Sequence, residues 1–318
     1  MPEWKAFAKL NCHTCPNASR KFTILSYIGN QARSPMSDYK IKYSVPADVG
    51  QIKNLMKSVF EDEDDFLDRF FNLFYHDNVL LSESNGSIVS MAFLLPNTIR
   101  INGKLLPITY LYACATHPEH RGRGLMSQII AKAYEDVCQR GEVGLLLLPA
   151  NESLYQYYSD MGFITSFFFD EIQFSQDECF PSEEMPPFKI EKITAKIYHQ
   201  LRKSILTAEL SILNPLQYFL LMEDNSDIND HGFYQIFREN DRIAICYLSK
   251  FNNILRVKEL LPSDTDLKHL PAFLAHSFDA KQIVVNILGT KKKSAQIKLN
   301  DSFSYLETKK GYFNFGLE

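Results

Sequence analysis

Apolar and polar residues follow two periods along this chain, and the order in which the periods change predicts most of its elements. Lys40 to Val45 reads as a strand, and Pro46 opens a helix whose apolar positions Ile52, Leu55, Met56, Val59 and Phe60 share one face. A second helix is expected over about Asp65 to Tyr75. Val79 to Ser82 and Ile88 to Leu95, joined by Glu83-Ser84-Asn85-Gly86, predict a hairpin. Strands at Ile99 to Asn102 and Leu105 to Cys114 follow. Leu125, Ile129, Ile130, Ala133 and Val137 then place one apolar stripe on a helix, which Arg140 and Gly141 close with a cation at the negative end and a residue free to turn left-handed. Val143 to Leu148 is a continuous apolar run suited to a strand buried on both faces. Asn151 stands where it would cap a short helix from Glu152 to Asp160. The order β-α-α-β-β-β-α-β-α-β predicts an α+β fold, a mixed central sheet flanked by helices.

Charge and proline concentrate between Gln176 and Pro187, as in a linker, and the order then begins again although the letters do not repeat. Strands are expected at Lys189 to Ile193, Phe233 to Arg238, Arg242 to Ser249, Ile254 to Leu261 and Gln282 to Leu288. Helices are expected at Lys196 to Leu206, Pro215 to Met222 and Leu267 to Ser277. At 318 residues the chain is long enough for two such domains. The division predicted is a poorly ordered extension at 1–37, a first domain at 38–175 and a degenerate copy at 176–318.

The candidate chemistry lies between the strand at Leu105 and the helix at Leu125. Thr116-His117-Pro118-Glu119-His120-Arg121-Gly122-Arg123-Gly124-Leu125 runs from a strand into a helix N-terminus, where unpaired amides and a positive partial charge favour a phosphate or pyrophosphate. Gly122 and Gly124 let backbone approach such an anion, and Arg121 and Arg123 add charge at its rim. A dinucleotide fingerprint would need glycine where Ser127 stands, and no G-x-x-x-x-G-K-[ST] run occurs. The second half has Pro262-Ser263-Asp264-Thr265-Asp266 at the corresponding junction, where two carboxylates would repel a pyrophosphate. That half therefore reads as a scaffold able to complete an acceptor pocket, with Lys291-Lys292-Lys293 as a solvated loop.

Arg121-Gly122-Arg123-Gly124-Leu125-Met126 resembles motif A of the GCN5-related N-acetyltransferases (GNAT), R/Q-x-x-G-x-G/A, with Met126 in place of the usual small sixth residue. One helix and one strand later, Tyr158-Ser159-Asp160-Met161-Gly162-Phe163 is similar to the family's Y-x-x-x-G-F signature. The tandem order resembles the Eis-like branch, which pairs one active with one inactive GNAT domain. The resemblance implies acetyl-CoA as co-substrate. Its pyrophosphate would lie on Arg121, Gly122, Arg123, Gly124 and Leu125, with Asn151 nearby, and its pantetheine arm along the backbone of Cys114, Ala115 and Thr116. It implies Tyr158 as general acid toward the departing thiolate, since a phenol near 10 and a thiol near 8.5 exchange protons readily. Glu61, Asp62, Glu63 and Asp64 occupy the segment that borders the acceptor site in the family, and opposite charge would draw in a cationic amine there. The chain end, Glu318, is a second candidate base by the same resemblance, with Phe313 to Leu317 read as a last strand. Cys114 within a strand reads as an inert core thiol, which favours direct transfer over an acylated cysteine.

The formal charge of −4 and the lack of a long basic segment argue against nucleic acid as partner. No apolar run of 18 or more residues and no leader pattern occurs, so the expected setting is the cytoplasm, with no membrane. Cys12-His13-Thr14-Cys15 has no second C-x-x-C to complete a zinc site, and His199, His231, His269 and His276 lack ligand spacing, so no metal is expected. The function expected is transfer of an acetyl group to a primary amine on a small molecule or peptide, by a chain for which a homo-oligomer stays open. A catalytically silent acyl-CoA-binding protein and a transferase for another acyl group or acceptor remain as alternatives.

Overall fold

A computed structural model describes residues 39–175, 187–223, 231–262 and 269–313. The extension at 1–37, Cys12 and Cys15, most of the linker, the junction from Ser263 to Asp266 and Glu318 lie outside the described residues. The first half runs β1 (Lys40–Tyr43), α1 (Val49–Phe60), α2 (Asp64–Phe74), β2 (Val79–Ser84), β3 (Ser87–Ile101), β4 (Lys104–Thr116), α3 (Leu125–Gln139), β5 (Gly144–Leu147), α4 (Glu152–Ser159) and β6 (Ile164–Thr165). Then come β7 (Phe168–Phe174), β8 (Phe188–Ile193), α5 (Ala195–Ile205), β9 (Leu210–Leu213), α6 (Leu216–Glu223), β10 (His231–Arg238), β11 (Asp241–Phe251), β12 (Ile254–Leu261), α7 (Leu270–Ser277), β13 (Gln282–Leu288), β14 (Lys292–Lys293) and β15 (Gln296–Leu299).

Two mixed sheets result. The first has the order β1-β2-β3-β4-β5-β15-β6, with β9 paired to β3; the second has β14-β7-β13-β12-β11-β10-β8. In each, one parallel pair is bridged by a helix: β4 and β5 by α3, β12 and β13 by α7. The strands expected at Ile88 to Leu95 and Ile99 to Asn102 are one continuous β3 that runs through Pro96. Proline has no N–H to give a ladder. Pro96 is exposed and lies between the β3 residues paired with β2, which reach Phe93, and those paired with β9, which begin at Thr98.

The sheets exchange strands across the boundary anticipated at 175/176. β7 is antiparallel to β13 in the second sheet, and β15 inserts between β5 and β6 of the first. A Cβ at Gly144 would lie 2.1 Å from the Lys298 carbonyl oxygen, so β15 can approach β5 this closely only because that residue is glycine. Lys292 and Lys293 are exposed as expected, but in place of a loop they form β14 on Phe168 and Phe169. Lys292 pairs with Glu171 at 2.8 Å and Lys293 with Glu152 at 2.5 Å.

Helices α1 and α2 cover one face of the first sheet, and α3 and α4 the other. The α1/α2 side buries Ile52, Leu67, Phe70, Phe93 and Tyr110 in a core that continues without a break into Tyr198, Tyr218, Phe219, Phe233 and Tyr247 of the second half. The α3/α4 side buries Leu111, Ile129, Ala133, Leu145, Tyr158 and Phe163. A further core beneath α7 is built on Ile236, Cys246, Leu255 and Ile283. At the junction of the halves Arg202 and Glu259, 1% and 0% exposed, form an ion pair at 2.7 Å.

Candidate active site

The site is built where β4 parts from β5. Their parallel pairing covers only Thr109 with Leu145 and Tyr110 with Leu146. From Leu111 to Thr116, β4 therefore has no partner on that edge, and the two strands open a wedge toward the N-terminus of α3. The divergence coincides with a β-bulge. Met91 faces Ala115 but Phe93 faces Tyr112, so β4 carries one extra residue, and Ala113 takes φ +49.

A bulge resets which side chains face which way. Tyr110, Ala113 and Ala115 belong to the α1/α2 core, whereas Leu111 and Cys114 pack on the α3/α4 side. Cys114 is thereby aimed at the helix that carries Tyr158. Ser90 Oγ donates to the Ala115 carbonyl at 2.9 Å, and Arg121 Nε to the Thr116 carbonyl at 3.1 Å, which ties the end of β4 to the loop that follows. No sequence pattern singled out Ser90; its role appears only when β3 is laid beside β4.

Gly122 and Gly124 both adopt φ +74. Gly124 caps α3 with no side-chain acceptor, which leaves the first-turn amides of α3 aimed out of the helix end. A Cβ added at either glycine would meet no protein atom within 4 Å beyond its own neighbours in the chain, so open space lies beside both residues. A helix N-terminus without a side-chain cap, beside open space, is a setting that suits a diphosphate. Arg123 donates to the Tyr39 hydroxyl and, at 3.2 Å, to the Glu119 carbonyl, and its guanidinium stands 6.0 Å from the Tyr39 ring. Replacing Gly124 by alanine should weaken acetyl-CoA binding about tenfold, because a left-handed non-glycine residue costs about 1–2 kcal/mol and the loop would shift to relieve it. Calorimetric titration of the variant with acetyl-CoA checks this.

Tyr158 is buried, 7% exposed, in the core that holds Leu111 of β4 and Leu145 and Leu147 of β5. Its ring packs on Phe163 at 5.8 Å, and burial raises its hydroxyl well above the ordinary phenol range. Cys114 packs against the same buried cluster, and burial pushes its thiol up to about 12. Asn151 caps α4, its Oδ1 accepting from the Leu154 amide at 3.2 Å, so that atom is committed to the helix that presents Tyr158. The exchanged segment holds α4 from behind. Gln296, fully buried, donates to the Tyr155 carbonyl at 3.2 Å and to Ser159 Oγ at 3.0 Å, and Tyr155 donates to the Ser294 carbonyl at 2.5 Å. Sequence reasoning passed over Gln296, which lies in a four-residue strand with no signature of its own.

Glu61, Asp62 and Glu63 between α1 and α2, and Asp64 at the start of α2, separate into different settings. Glu61 is exposed at the left-handed end of α1, φ +60, Glu63 is the exposed residue before α2, and Asp64 is paired with Lys57. Asp62 alone turns inward. Burial pushes its carboxyl up to about 6 with no cation to offset it, and its charge is felt by the Tyr112 hydroxyl on β4. Tyr112 lies 5.1 Å from Phe70, so this carboxyl belongs to an aromatic setting on the α1/α2 side of β4, opposite the side that holds Tyr158. Among the described residues no group of three or more His, Cys, Asp or Glu side chains could hold a metal, and no helix is long and apolar enough to cross a membrane.

Residues 40–165 match the family model described as acetyltransferase (GNAT) domain. Solved structures agree at the level of the fold. A protein from Enterococcus faecalis V583 described as a probable N-acyltransferase is 14% identical over 85% of this chain and 74% of its own, with a TM-score of 0.67. A GCN5-related N-acetyltransferase from Anabaena variabilis ATCC 29413 is 14% identical over 85% and 75%, with a TM-score of 0.65. Eis1 from Mycobacterium abscessus is 12% identical over 85% and 76%, with a TM-score of 0.63. No curated protein matches the chain. With the open glycine loop, the parted strands and the buried tyrosine all falling between residues 40 and 165, that segment is the one that matches an acetyltransferase (GNAT) domain, and the chain shares its two-sheet fold with proteins named as N-acetyltransferases.

Proposed function

We propose that the protein is an acetyl-CoA-dependent N-acetyltransferase that passes the acetyl group directly to a primary amine of a small molecule or peptide, with Tyr158 as general acid. The observation that carries this reading is the burial of a protonated phenol where β4 and β5 part, beyond an open glycine cradle at the N-terminus of α3. In this reading the amides of residues 122–125 hold the diphosphate, and Arg121 and Arg123 lie at its rim. The edge of β4 at Cys114, Ala115 and Thr116 takes the pantetheine arm and supplies a backbone donor to the charge that develops on the thioester oxygen. Tyr158 gives its proton to the departing sulfur. Cys114, pushed up to about 12, stays a thiol near neutral pH, which supports direct attack by the amine over an acylated cysteine.

Asp62 supplies the acceptor side. A half-buried carboxylate in an aromatic setting attracts an ammonium and can accept its proton as the nucleophile forms. Glu61, Glu63 and Asp64, at the rim of the same loop, add to the field that draws the cation in. The domain at 38–175 does the chemistry, and the copy at 176–318 supports it without a cradle of its own. The setting proposed is the cytoplasm, where acetyl-CoA is made available.

The test is release of free CoA when the full chain is mixed with acetyl-CoA and a panel of primary amines. Calorimetric binding of acetyl-CoA with no release for any amine would favour the silent acyl-CoA-binding protein. The Asp62 assignment has its own signature. A carboxyl raised to about 6 is protonated, and useless as a base, below that pH, so kcat/KM for the amine should climb as pH rises through about 6. In Asp62→Asn that limb should vanish, with kcat/KM lowered about 10²-fold at pH 7.5; an unchanged profile rejects Asp62 as the base.

A further inference from the structure

We propose that Tyr39 is a positioning residue for acetyl-CoA: its hydroxyl, oriented by His120, holds the Arg123 guanidinium beside the glycine loop, so that the remaining N–H groups are set for the diphosphate before the cofactor arrives. The inference rests on the reading of residues 121–125 as the diphosphate site and goes one step beyond it, from which groups meet the anion to what holds one of them in place.

The loop cannot hold Arg123 by itself. Gly122 and Gly124 stand on either side of it, both left-handed, and neither has a side chain to pack on the arginine. Arg123 is exposed, and a long side chain in water loses rotamer freedom when it closes on a ligand. Two contacts remove that freedom in advance. Nη2 donates to the Glu119 carbonyl at 3.2 Å, and Nη1 donates to the Tyr39 hydroxyl. The first contact is local, within the short turn Pro118–His120 that precedes the loop. The second spans 84 positions of the chain: Tyr39 directly precedes β1, whose antiparallel pairing with β2 begins at Lys40 opposite Glu83. Arg121 is tied through Nε to the carbonyl of Thr116, at the end of β4. The two arginines at the rim are therefore anchored to different strands.

The hydrogen bonds run in one direction. A tyrosine hydroxyl has a single proton, and here its oxygen accepts from Arg123. That proton can go to His120 Nδ1, 3.3 Å away, when the ring is neutral and Nδ1 carries no hydrogen. Burial, Arg123 and His117 hold His120 below the ordinary histidine range against the opposing pull of Glu119, so the ring is neutral near pH 7.5. The ring is also placed by its edge contacts, with centroids 6.0 Å from Tyr39 and 5.9 Å from His117. The order Arg123 to Tyr39 to His120 gives each group one role. Of the five guanidinium N–H groups two are used by the scaffold, and three remain for an anion, the charge-assisted bonds that a phosphate favours.

The experiment uses the full chain and two thioesters, acetyl-CoA and S-acetylpantetheine, which ends short of the diphosphate. Tyr39→Phe keeps the ring and removes the hydroxyl. It should weaken acetyl-CoA binding about fivefold by calorimetry and raise KM for acetyl-CoA, with kcat at saturation unchanged. With S-acetylpantetheine and an accepted amine its kcat/KM should equal that of the parent, because a residue that acts through the diphosphate has nothing there to act on. In an Arg123→Ala background the tyrosine substitution should cost acetyl-CoA no further affinity. A role in packing alone predicts the opposite: kcat/KM falls equally for both thioesters, and the loss of affinity persists without Arg123. That pattern overturns the proposal while the acetyltransferase reading stands, as does unchanged or tighter acetyl-CoA binding in Tyr39→Phe. A parent chain that binds no acetyl-CoA overturns both.

Discussion

Tyr158→Phe should lower kcat by about 10²-fold or more, while acetyl-CoA affinity and the thermal midpoint stay near those of the parent protein. The ring keeps its contacts with Phe163 and Tyr157, so the variant loses a proton and little packing. A weak point would seem to be acidity, since burial raises the phenol well above its ordinary range and makes it a poorer donor. The neighbouring thiol answers it. Cys114 lies in the same setting and is itself raised from 9.0 to about 12, so a thiolate released there is more basic than one in water. Donor and acceptor move up together, and proton transfer between them does not become hopelessly uphill. A second consequence follows from the sign of the shift: the phenol stays protonated throughout the working pH range, so Tyr158 should impose no alkaline limb on kcat below pH 10. The measurement is steady-state CoA release for both proteins from pH 6 to 10, with calorimetry to confirm that acetyl-CoA still binds. A Tyr158→Phe variant within threefold of the parent would remove the general acid from the mechanism.

How much of this was written in the letters depends on whether a feature is local. The cradle and the Y-x-x-x-G-F run are short and contiguous, and the chain folds them as local chemistry dictates, with both glycines left-handed and Asn151 capping α4. Strands Ile254–Leu261 and Gln282–Leu288 end where their apolar runs end. What stayed hidden is set by partners distant in sequence. Gln296-Ile297-Lys298-Leu299 is too short to announce a strand, and nothing in it says that it will be inserted between β5 and β6, some 150 residues earlier in the chain. Five acids in a row, Glu61 to Asp65, look alike as text, and only the turn of the chain after Glu61 half-buries Asp62 and leaves the others in water. The bulge is equally silent, yet it recurs. In the second sheet Tyr247 faces Glu259 and Leu248 faces Val257, which leaves Lys258 as an extra residue in β12, the strand that corresponds to β4. The second sheet thus has the same irregularity, and the residue beside the extra one, Glu259, is half of a buried ion pair.

That ion pair should dominate the stability of the protein. Glu259 accepts from Arg202 Nε at 2.7 Å and Nη2 at 3.0 Å, from the Tyr198 hydroxyl at 2.8 Å and from the Tyr312 hydroxyl at 2.9 Å, while Arg202 Nη1 donates to the Ile212 carbonyl at 3.2 Å. The partners come from α5, β9, β12 and the segment after β15, so the network joins both sheets: β9 pairs with β3 of the first, and β12 is central in the second. Burying two charges is costly by itself, and replacing both by well-packed apolar residues is often neutral or better. Removing one is a different matter. Glu259→Ala removes the carboxylate that pairs with the Arg202 guanidinium, 1% exposed, and that accepts from two tyrosine hydroxyls, so the expected loss is about 3–5 kcal/mol. Arg202→Met with Glu259→Leu should recover a large part of it, because the strain of an unpaired charge is gone. Urea unfolding of the single and double variants reads both effects. If Glu259→Ala unfolds within 1 kcal/mol of the parent, the guanidinium must find water or another acceptor, and the halves are not locked through this pair. The two substitutions should then divide cleanly: Tyr158→Phe stops turnover in a protein that melts normally, and Glu259→Ala melts early yet turns over at an ordinary rate while it remains folded, because no atom of the network reaches the wedge where the chemistry is placed.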